Sequence, residues 1–193
     1  MATVNRLFLI SHGATIALRG ARFPADEPLD AAPEHRREPA LRVDMARHGP
    51  ESRCVQTAVA LGLVSAVEPA LADLDCGTWR GRSLTEVERD DPSDVAEWLT
   101  DPDAAPHGGE SVRQLLDRVA GWLDGLPATG RLAAVTSPAV VRAVVVRVLS
   151  APAEAFWRID VPPLTVTHVF GVPGRWTLRC QAAPVPGWTV RSK

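Results

Sequence analysis

Leu7-Phe8-Leu9-Ile10 is an unbroken apolar run of strand length, and it stops at Ser11-His12-Gly13. Four apolar residues without polar alternation describe a strand covered on both faces, as in the interior of a parallel sheet. A second run, Leu132-Ala133-Ala134-Val135-Thr136, has the same character and ends at Ser137-Pro138. Serine at an N-cap with proline at the first helical position starts a helix, which here runs to about Leu149. Buried strands that lead into helices specify an α/β fold, in which ligands sit at the carboxyl ends of the strands. His12 and Ser137 both fall at such ends.

The remaining elements follow from spacing. Val43–Ala46 is a weaker strand, and Glu51–Leu61 reads as a helix with Val55, Ala58, Val59 and Leu61 on its apolar face. Leu84–Leu99 is helical in two pieces broken near Pro92. In Ser111–Leu126 apolar residues recur every three or four positions, the clearest helical pattern in the chain. Leu164–Phe170 and Trp176–Cys180 read as closing strands. The expected architecture is a three-layer α/β/α sandwich with a mostly parallel central sheet, as a single domain over residues 1–193.

Bulk properties narrow the function. A net charge of −2 gives no electrostatic footprint for nucleic acid. No apolar run approaches a membrane span, and Met1–Arg6 lacks the pattern of a signal peptide, so a cytoplasmic location is expected. Cys54, Cys76 and Cys180 are widely spaced and odd in number, which argues against disulfides and a zinc site. The near absence of lysine and the absence of tyrosine reflect coding bias.

Five segments carry the functional reading. They are Arg6–Thr15 around Ser11-His12-Gly13; Gly49-Pro50-Glu51-Ser52-Arg53 with Thr57-Ala58; Leu71–Gly81 with Asp73, Gly77 and Trp79; Pro106-His107-Gly108-Gly109-Glu110-Ser111; and Ala133–Arg142. In this order, over about residues 6–182, they resemble the histidine phosphatase (phosphoglycerate mutase-like) superfamily. The resemblance implies a phosphoglycerate mutase-like fold and metal-independent phosphoryl transfer with no cofactor. It makes His12 the nucleophile, needing an unprotonated imidazole nitrogen at phosphorus. It makes Arg53 a phosphate ligand, with Gly13 beside it, and Asp73 the general acid on a shorter arm than the family's glutamate. Trp79 is a packing residue and the Gly108-Gly109 segment is structural.

The sequence also departs from the family. Ser11 stands where the family has arginine, and Ser137 where it has the second catalytic histidine. Both remain phosphate-binding positions by alignment, but with neutral side chains. Loss of one preorganised donor costs about 10²–10³ in rate. Arg47 or His48, at the end of the second strand, are candidates to restore the charge. Arg19 and Arg22, in the loop from Ala17 to Leu29, are candidates to read substrate. His107 and His168 are expected to be non-catalytic. Two readings follow. One is weak or altered phosphomonoester hydrolysis through a phosphohistidine at His12, on a small phosphorylated metabolite or other anion such as α-ribazole phosphate. The other is an inactive pseudophosphatase that binds an anionic ligand or serves regulation. A mutase, which must hold a bisphosphate, fits least well.

Overall fold

The structure, a computed structural model, describes residues 4–31 and 41–185. In chain order it consists of β1 (Asn5–Ser11), α1 (Ile16–Arg19), β2 (Met45–His48), α2 (Ser52–Ala60), β3 (Ala66–Val67), α3 (Leu84–Asp90), α4 (Pro92–Thr100), α5 (Val112–Asp124), β4 (Gly130–Thr136), α6 (Pro138–Val148), β5 (Thr165–Val172) and β6 (Arg175–Pro184). Short 3-10 turns lie at Pro69–Leu71, Gly77–Trp79 and Ala153–Arg158.

The six strands form one sheet in the order β3-β2-β4-β1-β5-β6. The β3, β2, β4 and β1 pairings are parallel, and β5 and β6 add antiparallel neighbours at one edge. The sheet is therefore mixed around the expected parallel centre. Its two faces bury two cores, and the strands divide their side chains between them with a period of two. Leu7 and Leu9 of β1 enter one core with Leu132 and Ala134 of β4, while Ile10, Ala133 and Val135 enter the other. The larger core is covered by α3 to α6; the smaller lies under α2 through Cys54 and Ala58.

Helix starts follow local chemistry. Ser111 caps α5 in a capping box with Gln114, and Ser137 caps α6 with Pro138 at its first position. Pro92 separates α3 from α4 by opening the second. Two details differ from the sequence reading. The strand expected at Val43–Ala46 lies at Met45–His48, because Asp44 engages Arg131 through both carboxylate oxygens before the regular pairing begins. α1 and β3, with four and two residues, are too short to show a period.

The Gly108-Gly109 turn is fixed by close backbone packing. A Cβ at Gly77, where φ is +46°, would lie 2.1 Å from the His107 carbonyl oxygen. One at Gly109 would lie 2.1 Å from that of Asp75. This packing holds the Asp73–Trp79 segment against the start of α5. Beside it, Trp79 meets Phe23, Trp98 and His107 at ring separations of 5.0–5.6 Å. His107 is 1% exposed, and burial lowers its pKa below 6.5. His168 stacks on Phe8, and its pKa is lowered by burial and then by Arg179 and Arg6. Among the described residues no helix is long and apolar enough to cross a membrane.

Leu115 is fully buried in the larger core, so Leu115→Ala is expected to lower the unfolding free energy by about 2–5 kcal/mol, read from urea midpoints. The buried histidines set a pH dependence. In the unfolded chain they take up protons near pH 6.5; in the fold they do so only at lower pH. Between those values the unfolded state binds more protons, so stability falls as pH drops below 6.5. The urea midpoint is expected to decrease from pH 7.5 to 5.5, and less steeply in His107→Phe.

Candidate active site

The chain leaves β1 at His12, whose N–H still donates to the Thr136 carbonyl of β4 at 3.0 Å. That bond extends the strand pairing by one residue and fixes the imidazole's anchor. Nδ1 lies 2.7 Å from the Gly13 carbonyl oxygen, which can only accept, so Nδ1 carries the proton. Nε2 is then the unprotonated nitrogen, and it accepts a hydrogen bond from Arg53 Nε at 3.2 Å. Both contacts require the same tautomer. Burial lowers the imidazole pKa below 6.5; the Gly13 hydrogen bond opposes this and the Arg53 charge reinforces it. His12 is therefore neutral at physiological pH, with its lone pair on Nε2.

Arg53, in the first turn of α2, is 1% exposed. Thr57, one turn later, donates to the Arg53 carbonyl at 2.7 Å and accepts the Gly13 N–H at 3.0 Å, which ties α2 to the histidine loop. Arg53 Nη2 donates to Asp73 at 2.7 Å, and Nη1 lies 3.8 Å from Glu27. Burial works against the charge, but Asp73 and Glu27 outweigh it and the guanidinium pKa is raised. Nη1 is buried and has no hydrogen-bond partner among the described residues.

Asp73 reaches Arg53 despite its short arm because its loop is drawn in. Its N–H donates to Glu51 Oε1 at 2.7 Å, and Glu51 immediately precedes α2. Its Oδ1 accepts the Leu74 N–H at 2.8 Å. His12, Arg53, Asp73 and Glu27 together line one part of an open cleft.

A second cation enters this cleft from α6. Arg142 lines it, with Nε donating to the Ile159 carbonyl at 2.8 Å and the guanidinium 5.7 Å from the Phe156 ring. Burial lowers its pKa while Asp160 and Asp73 oppose the shift, and an arginine remains charged throughout. Its Nη atoms make no hydrogen bond among the described residues. Sequence reasoning aligned Arg142 without giving it a role; the signal available was its place at the end of the Ala133–Arg142 segment. Glu27, Glu51 and Thr57 had no comparable signal, since their importance depends on which loops meet.

Other expected site residues lie elsewhere. The Ser11 hydroxyl donates to the Pro162 carbonyl at 2.6 Å and accepts the Thr165 N–H at 3.1 Å, so it faces the start of β5 instead of the cleft. The Gly13 N–H is engaged by Thr57, which leaves its carbonyl orienting His12 in place of a donor for phosphate. The Ser137 hydroxyl accepts the Val140 N–H as a helix cap, and the cleft wall at this point is Pro138 and Ala139. Arg19 pairs with Asp30 and is largely exposed. Arg22 does reach the cleft, but its Nη1 is held by the Gly81 carbonyl and Glu86. Arg47 and His48 end β2, separated from β1 by β4, and neither lines the cleft. His48 Nδ1 lies 2.8 Å from the Gly49 carbonyl oxygen. Among the described residues no group of three or more histidines, cysteines or carboxylates is placed to hold a metal ion.

The profile of the histidine phosphatase superfamily (branch 1) matches residues 30–183. A glucosyl-3-phosphoglycerate phosphatase of Mycolicibacterium vanbaalenii is 30% identical over 127 residues, which cover 60% of this chain and 56% of that protein. A bifunctional protein of Mycobacterium tuberculosis is 32% identical over 130 residues, covering 61% of this chain and 36% of its own. The chain thus spans about half or less of the length of these curated relatives. Among solved structures, the alpha-ribazole phosphatase from Shigella flexneri superposes with a TM-score of 0.77 at 22% identity, covering 96% of this chain and all of that one. A mycobacterial glucosyl-3-phosphoglycerate phosphatase superposes with a TM-score of 0.74 at 22% identity, covering 93% and 99% of the two chains. At these identities the structural likeness is one of fold. With the profile matching most of its length, the chain belongs to the histidine phosphatase superfamily, branch 1.

Proposed function

We propose that the chain is a phosphomonoester hydrolase that works without metal through a phosphohistidine at His12. The observation that carries this reading is the set of atoms at one end of the cleft. An imidazole Nε2 lone pair sits beside a buried guanidinium whose Nη1 lacks a partner among the described residues. A phosphate oxygen satisfies that donor, and buried donors are seldom left unmatched.

The chemistry then proceeds in two steps. A phosphate ester takes over the guanidinium of Arg53, which releases His12 Nε2 and Asp73 from it. Asp73, freed from Arg53, takes the proton of the bound phosphate monoanion; Nε2 attacks phosphorus, the ester P–O bond breaks, and Asp73 passes that proton to the leaving oxygen. Water then attacks the phosphohistidine and delivers a proton to Asp73, and cleavage of the P–N bond returns the imidazole. The Gly13 carbonyl stays on Nδ1–H throughout and holds the ring in register. Arg142 supplies positive charge of the kind that the serines at positions 11 and 137 do not, and phosphoryl transfer depends chiefly on such positioning and electrostatics. The substrate is a small phosphorylated metabolite.

One observation favours the alternative, a pseudophosphatase that binds an anion without turning it over. Arg53 already engages both His12 and Asp73 through Nε and Nη2, so both groups are tied up before any ligand arrives.

Intact-protein mass spectrometry after incubation with phosphoramidate separates the two. The hydrolase is expected to gain the mass of one acid-labile phosphoryl group, absent in His12→Ala. An unlabelled wild-type protein would establish the pseudophosphatase. Arg142→Gln is expected to weaken competitive inhibition by inorganic phosphate about tenfold to a hundredfold, the worth of a hydrogen bond to a charged group. Ser137→Ala is expected instead to cost about 1 kcal/mol of stability, the loss of a helix cap.

A further inference from the structure

Beyond His12 and Arg53 the cleft changes character. The loop after β1, expected to read substrate through basic residues, presents Leu18, Phe23 and Pro24 to it. Trp98 of α4 and Phe156 and Trp157 of the 153–158 turn line it as well. The rings are contiguous: Phe23 to Trp98 is 5.5 Å, Trp98 to Trp157 is 4.3 Å and Phe156 to Trp157 is 4.8 Å. Leu18 lines the cleft while 46% exposed, so part of this apolar surface faces solvent.

The polar groups in this part of the cleft are largely engaged within the protein. The Thr15 hydroxyl accepts the Leu18 N–H, Arg22 holds the Gly81 carbonyl and Glu86, and Arg142 Nε holds the Ile159 carbonyl. What remains are the buried Trp98 indole N–H, which has no partner among the described residues, and the outer edge of the Arg142 guanidinium, whose carbon lies 5.7 Å from the Phe156 ring and 6.0 Å from that of Trp157. Phe156 is fully buried and Phe23 and Trp98 nearly so, so the accessible platform for a flat apolar group is formed by Leu18, Pro24 and Trp157 with the guanidinium, backed by those rings.

Resting on the phosphoester reading above, we infer that the alcohol released by this enzyme carries an aromatic or otherwise apolar group, in contrast to a polyhydroxylated sugar or glycerate. A sugar placed here exchanges water for walls with few free hydrogen-bonding groups, which costs about tenfold to a hundredfold in affinity for each buried hydroxyl left unpaired. An aryl group in the same place is desolvated favourably on both sides. The preference separates this chain from any relative whose name specifies a glucosyl substrate.

The test uses matched ligands on the full chain. Calorimetry compares naphthylmethylphosphonate with dihydroxypropylphosphonate, both non-hydrolysable and alike at the anionic end. The aryl ligand is expected to bind at least about tenfold more tightly, as burial of ring surface predicts. That ratio is expected to shrink about threefold or more in Leu18→Gln, at an exposed position tolerant of polar substitution, and in Trp157→Leu. Equal affinities, tighter binding of the dihydroxypropyl ligand, or an unchanged ratio in both variants overturns the inference. In parallel, kcat/KM is measured for naphthylmethyl phosphate and glycerol phosphate, whose leaving groups are both alkoxides. An aryl preference in binding without turnover of either ester removes the hydrolase reading and leaves the aryl site standing. Turnover that favours glycerol phosphate removes the aryl site and leaves the hydrolase.

Discussion

The cleft is organised by the burial of one guanidinium. Arg53 is 1% exposed, and a charge removed from water to that degree is tolerated when counter-charges and acceptors surround it. Here they come from separate parts of the chain: Nε2 of His12 at the end of β1, Asp73 in the loop after β3, and Glu27 in the loop after β1. Each is tethered in turn. Thr57 bridges Arg53 to Gly13, Glu51 holds the Asp73 backbone, and Gln56 accepts the Leu29 N–H of the loop that carries Glu27. The N-terminal half of α2 is thus a hub. Buried ion pairs are a poor source of stability, but they are demanding about geometry, and this one holds a nucleophile and a carboxyl group in fixed relation.

The same arrangement shapes how a ligand is held. On the reading proposed above, its anionic end competes with Asp73 and Glu27 for a cation that already has counter-charges, so attraction for phosphate is a difference between an external and an internal ion pair. Such a difference is small compared with the gross Coulomb energy of either pair. Contacts away from phosphorus would then decide which esters remain bound, and in this cleft those contacts are largely apolar. The charge balance near His12 and the aromatic walls beyond it are two sides of one selectivity.

How far this was legible in the sequence depends on the distance over which each feature is determined. β1 and β4 were readable because a continuous apolar run needs no partner to be recognised, and α6 was readable because Ser137-Pro138 specifies its own start. Arg53 was readable through Thr57, one helical turn away, and the structure shows those two residues hydrogen bonded. The direction of the Ser11 hydroxyl was not readable, since it is set by Pro162 and Thr165, more than 150 residues later. Arg142 escaped for a related reason: a helix pattern says that a residue lies on a face, while the cleft that face borders is built by Phe156, Trp157 and the post-β1 loop. Arg19 and Arg22 show the converse: their loop suggested a ligand contact, while Arg19 pairs with Asp30 and Arg22, which does line the cleft, is held by Glu86 and the Gly81 carbonyl.

The serine at position 11 has a steric consequence. Its side chain is fully enclosed, and its hydroxyl joins the end of β1 to the entry of β5 by donating to Pro162 and accepting from Thr165. The Leu164 N–H also reaches the Ser11 carbonyl, from a residue at a φ of +55°. An arginine at this position would place a long charged side chain where a small one splices two strands, and the Pro162–Thr165 junction would have to open first. Residue 11 is thus held by its packing: a larger side chain there parts β1 from the entry of β5 before it can reach the cleft.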